Sequence, residues 1–214
     1  MSDSWYKVDN VAKVFLATAS MRDPRVFRIS CTLQEQVDPD TLNEALRRTA
    51  QEWPQFQVTL HRGLFWHYFE STDLMPAAQP ETKAPCAPLY TPERRNRLIY
   101  RVTYFGARIN LEMFHAITDG NGGLLYLKSI VRNYLALRHP GELDSVPSPN
   151  SASPGTLRRT ASATFTAAPD AARPRKRPRS TARTAFCPTT SCNSLRGISA
   201  PGRCWTVPMR WVCR

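Results

Sequence analysis

The segment Phe114-His115-Ala116-Ile117-Thr118-Asp119-Gly120 gathers the residue types that could do chemistry in this chain. An imidazole titrates near neutrality, so a neutral His115 can act as a general base toward a hydroxyl or an amine. In a partly apolar tunnel it would take the acceptor's proton as the acceptor attacks an acyl thioester. Asp119 precedes an amphipathic run, where a carboxylate suits the positive end of a helix dipole, so shaping the turn competes with proton relay as its role. Gly120, Gly122 and Gly123 allow positive φ or close backbone approach. The plainer alternative is a satisfied histidine beside a helix-capping aspartate. As metal ligands the pair is incomplete, because a zinc ion wants four and the segment supplies two, so no metal site is expected.

Several elements must position that segment. Val26 to Leu33 alternates and predicts a strand. Asp38 is a good N-cap and Pro39 suits the first helical position. Leu42, Ala45, Leu46, Thr49 and Trp53 then share one face before Pro54 stops the helix. Phe56 to Leu60 and Leu64 to Phe69, divided by His61-Arg62-Gly63, predict a hairpin, and Met75 to Pro92 a proline-rich connection. Leu98 to Phe105 and Arg108 to Phe114 flank Gly106-Ala107 as a second hairpin. In its second strand Ile109, Leu111, Met113 and His115 have the same parity, so His115 emerges from an apolar face. From Asn121 a helix follows with Leu124, Leu127, Ile130, Val131, Tyr134 and Leu135 as its buried stripe, ending near Arg138. The aromatics Phe65, Trp66, Tyr68 and Phe69 read as core or cross-strand packing, with a channel lining as the alternative. The expected fold class is α/β (α+β), a mixed sheet with flanking helices.

The order His-x-x-x-Asp-Gly, at the end of a strand and before an amphipathic helix, resembles the signature of chloramphenicol acetyltransferase, peptide-synthetase condensation domains and alcohol acetyltransferases. The preceding strand, the helix ending in Trp53-Pro54 and the hairpin with Gly63-Leu64-Phe65-Trp66 follow the first lobe of the two-lobed members. That resemblance implies an acyltransferase in which His115 is the catalytic base, Asp119 orders the motif loop through an arginine and Gly120 keeps the channel open. It also implies an acyl-CoA or carrier-protein thioester as donor, a small-molecule hydroxyl or amine as acceptor, and no bound cofactor. Phe114 stands where many condensation domains carry a second histidine, which is more like the alcohol acetyltransferases. Where an arginine is expected after the first long helix the chain has Gln55-Phe56-Gln57-Val58-Thr59, leaving Arg25, Arg28, Arg62 and Arg101 as candidate partners of Asp119. Two-lobed members are about twice as long, and no second lobe is recognisable, so activity of this chain is in question.

Composition divides the chain in two. The net charge is +12, yet residues 151–214 hold 12 of the 29 lysines and arginines against one acid, Asp170. Beyond Ser145 the aliphatic periodicity stops and Pro, Ser, Thr, Ala and Arg dominate, a composition unable to bury enough apolar surface to offset its conformational entropy. We therefore read residues 1–148 as the acyltransferase-like lobe and 149–214 as a basic, disordered tail whose bias suggests GC-rich DNA in a shifted frame. The run Arg173-Pro174-Arg175-Lys176-Arg177-Pro178-Arg179 reads as solvated chain, with a non-catalytic module engaging nucleic acid or another acidic partner as the alternative. Cys187, Cys192, Cys204 and Cys213 lack the paired spacing of a zinc site, and Cys31 and Cys86 stand alone. No apolar run of about 18 residues and no signal-like start occurs, so a cytoplasmic protein without a membrane span is expected.

Overall fold

Two strands with opposite chemistry on their two faces organise the chain. The computed structural model describes residues 5–64, 66–91 and 96–141, and the backbone of three short strands further on. In chain order the elements are β1 (Trp5–Lys7), α1 (Asn10–Thr18), β2 (Val26–Thr32), α2 (Pro39–Glu52), β3 (Val58–Arg62), β4 (His67–Ser71), β5 (Ala78–Pro80), β6 (Tyr100–Phe105), β7 (Arg108–Phe114), α3 (Gly120–Arg138), β8 (Ser199–Ala200), β9 (Arg203–Cys204) and β10 (Met209–Val212). The main sheet runs β10-β2-β7-β6-β5, a smaller one β1-β4-β3, and β8 pairs with β9. All pairs are antiparallel except β5 with β6. The fold is thus mixed α/β.

The predicted core elements form close to their expected bounds. Asp38 caps α2 by accepting from the Thr41 amide at 2.9 Å, and the predicted faces of α2 and α3 are buried. The helices meet through polar as well as apolar contacts: the Trp53 indole donates to the Ser129 hydroxyl at 2.9 Å, and the Asn133 amide to Thr49 Oγ1 at 3.0 Å. Three elements escape the sequence patterns, namely β1, α1 and β5. The first hairpin turns later than expected, at residues 63–66, because His61 and Arg62 extend β3 to pair with Tyr68 and His67. Trp66 is 59% exposed and Phe69 is buried, so these hairpin aromatics divide between surface and core. In the stretch expected to be disordered, β10 adds an edge strand beside β2. Phe65, the basic run at 173–179, Cys187, Cys192, Cys213 and the boundary at residue 148 lie outside the described residues.

Strand alternation separates the two faces of the main sheet. Phe27, Ile29 and Cys31 of β2 and Ile109, Leu111 and Met113 of β7 are buried together on one face. α3 crosses that face closely at Gly123, where an added Cβ would lie 2.8 and 2.9 Å from ring carbons of Phe27 and 3.3 Å from Met113 Sδ. The opposite face carries buried charge. Glu112, 0% exposed, accepts from Arg28 Nε at 2.8 Å and Nη2 at 2.6 Å, from Arg101 Nε at 3.0 Å and from the Cys86 amide at 3.0 Å. Glu81 pairs with Arg28 and Arg108, so the connection ahead of β6 is fastened across the polar face. Burial alone would raise the Glu112 carboxyl, but the Cys86 amide and the two arginines outweigh it and hold the group below its ordinary value. Glu81 is lowered as well, its arginine partners overcoming burial. Among the described residues no helix is long and apolar enough to cross a membrane.

Two outcomes test this packing. Replacing a helical glycine with alanine gains about 1 kcal/mol of propensity, whereas overpacking a core costs about 1–3 kcal/mol. Because the Phe27 ring is buried against His115, the overpacking cost wins. Gly123→Ala is expected to lower stability by about 1 kcal/mol in urea unfolding, and Phe27→Leu in the same chain to recover part of it. The second outcome concerns acid. Carboxyls lowered in the folded state stabilise it above the unfolded value of about 4.5, and that stability is lost as pH falls through the folded values. Urea midpoints should therefore fall below pH 4.5, while Glu112→Gln costs about 3 kcal/mol at neutral pH and flattens the acid limb.

Candidate active site

β7 ends at Phe114, and the chain then turns so that His115 projects from the apolar side of the sheet. The turn is fixed by backbone bonds: the His115 amide donates to the Arg25 carbonyl at 2.9 Å, and the Ile117 amide to the Phe114 carbonyl at 3.0 Å. Arg25 holds a left-handed backbone, φ 52°, which aims that carbonyl across from the loop entering β2. The His115 ring lies between two phenyl rings. Phe15 of α1 stacks on it at 4.8 Å and 14°, and Phe27 of β2 sits at 4.5 Å and 42°.

This setting decides the protonation state. Burial disfavours the imidazolium, a hydrogen bond to the Thr118 backbone carbonyl and the Asp119 charge favour it, and the Arg25 charge opposes it. The net effect lowers the His115 pKa, so the ring is neutral at pH 7. In a neutral imidazole one ring nitrogen carries the proton and the other keeps a lone pair able to accept one. A neutral imidazole in half-buried apolar surroundings has the properties of a general base.

Asp119 is placed differently from the expectation of an arginine-ordered loop. Its carboxylate caps α3, accepting from the Gly122 amide at 2.8 Å. Among the described residues it forms no ion pair with arginine: Arg25 pairs with Asp23, Arg28 with Glu81 and Glu112, and Arg101 with Glu112, all drawn away by nearer carboxylates. Arg62 ends β3 and pairs with none of them. Gly120 opens α3, and among the described residues the glycines with positive φ are Gly106 and Gly141, so the close approach at Gly123 is what the glycine cluster supplies. Cys31 and Cys86 are buried and neither is in a disulfide, and burial pushes the Cys31 thiol up to about 12, which rules it out as a neutral-pH thiolate.

Phe15 went unread in the sequence because α1 did. Its signal was present: Asp9 accepts from the Ala12 amide at 2.6 Å as an N-cap, and Ala12, Phe15 and Leu16 recur at helical spacing. The Thr118 carbonyl had no sequence signal, because any residue supplies one. Beside the site, Phe114 lines a half-open cavity of about 480 Å³ between the end of α1 and the β3–β4 hairpin.

No protein-family model and no curated protein matches the chain. Solved structures do. The complex of the X-domain and OxyB from teicoplanin biosynthesis matches with a TM-score of 0.51 and 14% identity over 64% of this chain and 34% of that one. A mutant of the starter condensation domain of rhizomide synthetase RzmA matches at 0.50 and 11% identity over 63% of this chain and 38% of that one. In complex with C8-CoA, that mutant domain matches at 0.50 and 12%, over 63% and 36%. At such identities the likeness is one of fold. The described part shares the fold of a portion of these domains, and the chain spans little more than a third of the length of these structures.

Replacement of Asp119 separates its two contributions. Asparagine caps a helix nearly as well as aspartate, while alanine costs about 1 kcal/mol. Asp119→Asn should leave stability nearly unchanged yet move the His115 pKa further below its ordinary 6.5, followed by the imidazole proton shifts in NMR. An unchanged titration would show that the carboxylate acts on the helix alone.

Proposed function

We propose that this lobe carries the base half of an acyltransferase site, in which His115 serves transfer from a CoA or carrier-protein thioester to a hydroxyl or amine. The observation that supports the reading is His115 held between Phe15 and Phe27, with its pKa lowered by burial, on a fold shared with condensation domains. In the reaction, the free nitrogen accepts the acceptor's proton as its oxygen or nitrogen bonds to the thioester carbonyl carbon. The C–S bond then breaks, and the thiolate leaves with the proton returned by the imidazolium, giving an ester or amide and a free thiol. Asp119 stabilises the transient imidazolium through space and keeps the loop in place as the cap of α3. A general base of this kind contributes about 10²- to 10⁴-fold.

A lobe with one wall supplies the base without full positioning of the substrates or exclusion of water, and positioning can account for about 7–11 kcal/mol of a barrier. The chain by itself is therefore expected to release no thiol from acyl-CoA in the presence of alcohol or amine acceptors. Reading its coding DNA in the two alternative frames past residue 148 should uncover a second lobe. The frame-restored protein should release thiol, with His115→Ala lowering kcat by about 10²-fold or more. Thiol release that is indifferent to His115→Ala would overturn the role of the histidine. His115-dependent release by the chain as it stands would overturn its incompleteness, and two frames without a second lobe would overturn the shifted-frame reading.

A further inference from the structure

The cavity beside Phe114 has a chemical character of its own. Its walls include apolar surface from Leu16, Pro88 and Phe114, and its polar side is formed by Arg62, His67 and Tyr90. Arg62 and His67 face each other across the β3–β4 hairpin as a cross-strand pair. The His67 ring stands edge-on to Tyr90 at 6.2 Å and 78°, which fixes it on the cavity side of the hairpin. No carboxylate is among the residues that line the space, and among the described residues Arg62 forms no ion pair. Its positive charge therefore stands at the cavity without a fixed counter-charge. His67 adds no positive charge to compete for a ligand, since burial and the neighbouring Arg62 lower its pKa and keep it neutral.

The three properties together select a ligand class. A space of about 480 Å³ suits a small molecule. The apolar wall favours a hydrocarbon or aromatic body through burial of its surface. A guanidinium is a fork of donors matched to carboxylate and phosphate oxygens, and its bonds to an ionised acceptor are stronger than neutral ones. The neutral His67 ring and the Tyr90 hydroxyl add polar groups at the same end. The acidic network of Glu81 and Glu112 offers no competing attraction, because Arg28, Arg101 and Arg108 already engage those carboxylates.

We propose that this cavity binds an amphipathic small molecule with one compact anionic head group, a carboxylate or a phosphate monoester, whose head meets Arg62 and whose body lies against Leu16, Pro88 and Phe114. The site is adjacent to His115 but does not depend on acyl transfer, and it can be tested by binding alone.

Isothermal titration of the full chain with octanoate, octyl phosphate and the neutral octanamide distinguishes the head groups. At least one of the two anions should bind saturably, and octanamide at least about tenfold more weakly, the size expected for loss of one charge-assisted contact. The tighter anion identifies the preferred head. Arg62→Ala should weaken that anion by about tenfold or more without changing octanamide, and Arg62→Lys, which keeps the charge but not the fork, should restore only part of the loss. Arg62 is exposed at the end of the hairpin, so both variants retain the core. Absence of saturable binding by either anion, equal affinity for octanamide, or indifference to Arg62→Ala would each overturn the assignment. Because the titration reads no acyl transfer, failure here and failure of the acyltransferase reading are separate results.

Discussion

The antiparallel register of β2 against β7, with Val26 opposite Phe114 and Thr32 opposite Arg108, sets the position of nearly every group of interest. Side chains alternate along a strand, so a slip of β2 by one residue would carry Arg28 to the face that α3 packs and turn Phe27 to the polar side. Neither arrangement could be satisfied: buried arginines would lose their carboxylates, and α3 would lose the groove that Gly123 enters. The register is thus held from both faces at once, by apolar packing on one and by the Glu112 network on the other.

That double constraint gives His115 its environment. The histidine continues the apolar face of β7 beyond the last strand residue, and Phe27 is opposite Met113, so the ring meets Phe27 as a consequence of the pairing. α1 then closes the other side with Phe15. Two partners of opposite electrostatic sign act on the ring, the Arg25 charge and the Asp119 charge, and burial tips the result toward the neutral form. The same chain keeps its permanent charges in pairs on the reverse of the sheet, where Glu112 answers two arginines. The paired ionised groups and the His115 ring therefore lie on opposite faces of the same sheet.

The described elements bury one continuous core. That core is closed by α2 and α3, the edges of the main sheet are extended by β5 and β10, and the buried polar groups largely find partners. At the end of β7, Phe114 lines a half-open cavity that has the end of α1 and the β3–β4 hairpin as walls. The condensation-domain structures that share this fold extend well beyond the matched region.

The amino-acid sequence alone specified the main elements, because period 2 in β2 and β7 and helical spacing in α2 and α3 are local properties, punctuated by Asp38, Pro54 and Gly106. It also specified the approximate place of His115, at the end of an apolar strand face and ahead of a capped helix. Tertiary structure alone decided who surrounds that histidine. Phe15 is 100 residues away in the chain, the Thr118 carbonyl is anonymous in sequence, and of the arginines proposed for Asp119, Arg25, Arg28 and Arg101 pair instead with Asp23, Glu81 and Glu112, while Arg62 ends β3 without an ion pair among the described residues. Charge pairing is a contest of distances, and distances between remote residues exist only once the strands have chosen their register.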